Sequence, residues 1–126
     1  MKWTKKKSTK KENVSAMILK VAEGYLDMGE TVEEKANYLR SSCTAWNIAS
    51  MPPSKQEKDL KAYIKQYKKI NNADKEDCKA LEEDMRQLIK KKKELYPDIN
   101  NIQIVDSKVK RIDGRDHVSI ASMKIK

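Results

Sequence analysis

Apolar side chains recur at three- and four-residue steps over four stretches of this chain, and the period then drops to two. Val14, Met17, Ile18, Val21, Ala22, Tyr25 and Met28 share one face of a helix that the spacing predicts over 13–28. Gly29 follows where a left-handed, helix-terminating residue belongs. In "TVEE", Thr31 is a natural N-cap, and Glu34 three residues on completes a capping box. The helix opened there is predicted over 32–51. Its first half is one-sided through Val32, Ala36, Leu39 and Cys43, while "CTAWNIASM" is apolar around most of its circumference. Such a helix end is buried on several sides, which places Trp46 at the centre of the domain. A buried indole N–H needs an acceptor, and Asn47 beside it is expected to serve another helix end.

Pro52 and Pro53 stop that helix, since neither donates a backbone hydrogen bond. Ser54 and Glu57 repeat the capping-box spacing before a third helix, predicted over 55–70 with Leu60, Tyr63, Ile64 and Tyr67 inward. On the other side stand Lys55, Lys58, Lys61, Lys65, Lys68 and Lys69. At helical spacing they fit an arc of roughly 140° that contains no acid. Asp74 caps a fourth helix reaching Leu95, with Cys78, Leu81, Met85, Leu88, Lys92 and Leu95 in a narrow seam. Its acids come early (Asp77, Glu82, Glu83, Asp84) and its lysine run, Lys90 to Lys93, comes late. That order complements the helix dipole and reads as a solvated helix end.

Beyond Pro97 the chain is rich in β-branched residues around Asp113-Gly114, a strong hairpin signal. A two-residue loop sets Ile112 opposite Arg115, Val109 opposite Val118 and Val105 opposite Ser122. One face then holds Val105, Val109, Val118 and Ile120; the other holds Ile102, Ile104, Ala121, Met123 and Ile125. An apolar face that switches sides implies a bulge or two different covers. Two strands alone are marginal, so the hairpin packs on the helices, extends a partner's sheet or pairs with its own copy in a homodimer. The expected fold is therefore α+β and mostly α. About four helices form a small bundle, followed by a β-hairpin over about 100–126. A basic tail, 1–12, precedes this single domain, 13–126.

Composition fits that outline. Phe is absent, and Gly and Pro number three each, which favours long helices over a turn-rich all-β fold. No apolar run is long enough for a membrane span, and Lys20 and Glu23 interrupt the only signal-like stretch. A cytoplasmic protein with no membrane partner is expected. Cys43 and Cys78 then read as reduced, packed thiols.

Charge is distributed unevenly. The net charge is +9, yet residues 12–100 carry 16 basic and 16 acidic side chains and balance to zero. Residues 1–11 hold six lysines and no acid, and residues 101–126 hold six basic and three acidic side chains. Candidate contacts for a polyanion or another partner are Lys5, Lys6, Lys7, Lys10 and Lys11 in the tail and Lys58, Lys61, Lys65, Lys68 and Lys69 on the third helix. Lys108, Lys110, Arg111 and Arg115 on the hairpin complete that set. Trp3 and Trp46 are candidate apolar anchors. Lysines outnumber arginines 24 to 4. They act as point charges on phosphates, so any nucleic acid is expected to be held by its backbone.

Catalytic chemistry finds little footing. His117 is the single histidine, and with two scattered cysteines it makes no recognisable zinc spacing. Gly24, Gly29 and Gly114 are isolated, so no phosphate loop is present. Both cysteines lie in apolar stripes rather than beside a base. The expectation is a non-enzymatic chain without a cofactor: a protein-binding subunit, adaptor or inhibitor of a larger prokaryotic or phage-type complex. The alternative is an accessory protein that binds nucleic acid without sequence preference.

Overall fold

The computed structural model describes residues 13–124; Trp3, the candidate tail lysines and Ile125 lie outside the described residues. Four helices are followed by an antiparallel two-stranded hairpin: α1 (Val14–Val21), α2 (Val32–Ala49), α3 (Pro53–Asn71), α4 (Lys75–Leu95), β1 (Ile102–Ile112) and β2 (Arg115–Lys124). The expected mostly helical α+β architecture is what forms.

Local chemistry sets the boundaries. α1 is half the expected length, because the chain turns at Gly24, whose φ is +84°, and continues as a single 3-10 turn over Leu26–Met28. Gly29 is extended at φ −82°, so it is not the left-handed cap. Its lack of a side chain serves close packing instead: a Cβ there would lie 3.0 Å from the Lys35 backbone nitrogen. Thr31 and Glu34 form the expected capping box on α2. The expected Ser54 cap does not form. Pro53 already occupies the first helical position of α3, where its missing N–H costs nothing. Gln56 closes the gap by donating to the Ala49 and Met51 carbonyls at the end of α2. Asp74 and Asp77 make a second capping box on α4.

α2 is the central element. α1, α3, α4 and β1 all pack on it, and β2 also packs on α1. Trp46 is completely buried, with Leu39, Ala45, Leu60, Met85 and Ile18 in the same core. Its Nε1 donates to the Ile102 carbonyl at 3.0 Å. Asn47 serves a strand rather than a helix end. Its amide donates to the Ile104 carbonyl at 2.9 Å and accepts from the Ile104 N–H at 2.8 Å, replacing a strand neighbour. These bonds dock the base of the hairpin on α2.

The turn falls at Asp113-Gly114, both at positive φ. Ile112 pairs with Arg115 and Val109 with Val118 as expected, but Ser122 pairs with Ile104. Val105 is the extra residue of a bulge between Ile104 and Asp106. That bulge resolves the switching apolar face. Ile102, Ile104, Val109, Val118 and Ile120 all pack toward the helices, whereas Val105 turns out to solvent.

One lysine departs from the sequence reading. Lys92, expected in a solvated run, is completely buried. Its ammonium donates to the Ile99 carbonyl at 2.6 Å and to Asn100 Oδ1 at 2.7 Å, 5.0 Å from the Trp46 ring centroid. Lys90 and Lys93 are exposed and Lys91 is half-buried. Burial, and then the neighbouring Lys93 charge, lower the Lys92 ammonium to about 8 from an ordinary 10.5. The unfolded chain therefore keeps a proton that the folded chain releases, and stability rises as pH climbs above 8. Cys43 acts in the opposite sense. Burial pushes its thiol up to about 11 from 9.0, so stability falls between those values. The urea midpoint is expected to rise from pH 7.5 to 9 and then level off. In Lys92→Met the rise disappears; its persistence would assign it to another group.

Candidate functional site

The six lysines of α3 form the most distinctive surface among the described residues. The inward side chains Leu60, Tyr63, Ile64 and Tyr67 hold the opposite stripe of the helix against the body. Lys55, Lys58, Lys61, Lys65, Lys68 and Lys69 are all exposed. None of them makes an ion pair among the described residues, whereas Lys35, Arg86 and Arg111 all find carboxylates. At the rise of a helix, the row from Lys55 to Lys69 is about 21 Å long.

The hairpin carries a second basic surface. Inside/outside alternation sets Lys108, Lys110, Arg115 and His117 on its solvent face, with Lys110 opposite His117. Arg111 falls on the other face and is engaged within the protein: its Nε donates to Asp116 at 3.0 Å, and Lys35 of α2 binds the same carboxylate. These two cations, Lys35 first, hold the Asp116 carboxyl below its ordinary range. α3 packs on α2 and α4, while the hairpin packs on α2 and α1. The two basic surfaces thus belong to elements that share only α2. Trp46, a candidate anchor from the sequence, is sealed in the core and anchors the hairpin rather than an external partner.

Beside the lysine row lies a cleft of about 430 Å³ that sequence reading did not single out. Its walls are tyrosines from three elements: Tyr25 after α1, Tyr38 on α2, and Tyr63 and Tyr67 on α3. Tyr25 and Tyr38 stack at 4.7 Å between ring centroids with a 45° tilt. The Ser41 hydroxyl lies 3.1 Å from that of Tyr63. Asn37, Gln66 and Arg40 stand at the rim. Burial, and then the nearby Asp84 carboxylate, hold the Tyr25 phenol far above its usual value, so it remains a neutral donor. The signal was present in the sequence as four of its five tyrosines, but three elements remote in the chain had to meet before they made a cleft.

Of the other reactive groups, His117 is exposed on the hairpin. Both cysteines are free thiols; Cys43 is buried and Cys78 half-buried. Asp113 forms the hairpin turn and Asp116 is spent on two cations. Among the described residues no three His, Cys, Asp or Glu side chains gather as a metal ligand set. No helix among them is long and apolar enough to cross a membrane. No family model, curated protein or solved structure matches the chain.

Proposed function

We propose that this chain is a non-enzymatic accessory protein that binds nucleic acid through phosphate contacts and without sequence preference. The observation that carries the reading is the α3 row: six exposed lysines, no acid among them and no ion pair made among the described residues. Cations left unneutralised along one helix suit a partner that brings regularly spaced negative charge. Free thiols at both cysteines fit a reducing, cytoplasmic setting.

A second reading rests on the hairpin. Among the described residues the sheet has two strands, so β2 keeps an edge with no described strand beside it. Val105, Ile112 and Met123 are each at least half exposed on the same hairpin. An edge of this kind fits a strand supplied by a protein partner, as in an adaptor or complex subunit. One pull-down from the native host, with and without nuclease, separates the two. Loss of co-purifying material after nuclease supports nucleic-acid binding. A protein partner retained after nuclease and in high salt supports the adaptor and overturns the first reading.

A further inference from the structure

We propose that the tyrosine cleft receives an unstacked base of a single-stranded nucleic acid whose phosphates run along the α3 lysines. The inference rests on the nucleic-acid reading above and names the kind of strand it requires. α3 carries both halves of the apparatus. Around its axis the order of side chains is Lys69, Gln66, Ile70, Tyr63, Tyr67, which leads from the basic row into the cleft. Ile70 is 71% exposed at the rim, an apolar step between the lysines and the rings. A cationic track flanked by aromatic platforms is what an unpaired strand needs, because every base has a face to stack and every linkage carries a charge. A duplex, with its bases already stacked, has no group to place in the cleft.

The charges around the cleft are mixed: Arg40, whose guanidinium donates to Asn37 Oδ1, stands at the rim with two carboxylates close by. Asp84 is half-buried near Tyr25 and makes no ion pair among the described residues. Glu34, on the rim, spends its carboxylate on the Glu30 and Thr31 N–H groups. The two carboxylates offset the single Arg40 cation, so the cleft is no dedicated phosphate seat, while a neutral ring is indifferent to either charge. The amides of Asn37 and Gln66 offer donors and acceptors at the rim. Both can suit any base, in keeping with binding that ignores sequence.

The test compares two labelled ligands by fluorescence anisotropy in low salt: a short oligothymidylate, and an abasic phosphodiester of the same length and charge. Stacking one base is worth about 1–3 kcal/mol, so the oligothymidylate should bind about tenfold tighter. Tyr67→Leu should erase that gap, and Tyr67→Phe, which keeps the ring, should preserve it. Lys61→Gln with Lys65→Gln should weaken both ligands equally. Equal affinity for the two ligands overturns the cleft while leaving the lysine row as a plain polyanion site. Binding of neither ligand overturns the nucleic-acid reading itself. A duplex of equal length that competes as well as the single strand also overturns the cleft.

Discussion

Trp46→Ala should lower the stability of this protein by about 4 kcal/mol, the largest effect expected of any single substitution in it. The indole is completely buried where α2 meets the hairpin, so truncation leaves a cavity bounded by elements that cannot all collapse into it. It also strips the Ile102 carbonyl of its donor and removes the ring beneath the Lys92 ammonium. A buried lysine with no carboxylate partner among the described residues tolerates that loss poorly. Domains of this size are stable by only about 5–15 kcal/mol, so the variant stands close to unfolding at room temperature. Trp46→Phe separates the contributions. It keeps most of the apolar volume but not the N–H, and should cost about 1–2 kcal/mol. Urea unfolding followed by far-ultraviolet circular dichroism measures both. A loss below about 1 kcal/mol for Trp46→Ala would mean that Asn47 and the apolar contacts alone hold the hairpin.

The second large effect is on binding. Replacing Lys58, Lys61 and Lys65 together by glutamine should weaken single-strand binding by about a thousandfold at 50 mM salt. Each phosphate contact on a single strand contributes about 0.7 to the slope of log affinity against log salt, which at that salt is close to tenfold in affinity. The three side chains are exposed and make no ion pair among the described residues. Their loss should therefore leave the urea midpoint almost unchanged. The pairing of these two outcomes matters, because weak binding by an unfolded variant would say nothing about the surface.

How much of this was readable beforehand depended on whether a feature was local. Capping boxes at Thr31 and Asp74, the stop at Pro52-Pro53 and the Asp113-Gly114 turn each follow from a few adjacent residues, apart from the failed cap at Ser54. There a proline that suits the first helical turn displaced a serine that suits the cap. The first helix was overextended because its apolar period continues through Tyr25 and Met28 even though Gly24 breaks the backbone. Periodicity reports which side chains could share a face, but beyond Gly24 the 3-10 turn keeps only Tyr25 and Leu26 against the core and leaves Met28 exposed. The lysine row was legible because its helix is regular and its charges are uniform. Lys92 shows the limit of that reasoning. Its place in the α4 seam was visible, but its two acceptors come from the turn beyond Pro97 and only folding brings them within reach. The tyrosine cleft was illegible for the same reason, since its rings come from separate helices and a turn.

The salt dependence of single-strand binding by the unaltered protein tests the nucleic-acid reading most directly. With the α3 row in contact with about five or six phosphates, log affinity should fall with log salt at a slope of about −4. The glutamine triple variant should bring that slope to about −2. A flat salt response, or a slope untouched by the three substitutions, would contradict the role given to α3.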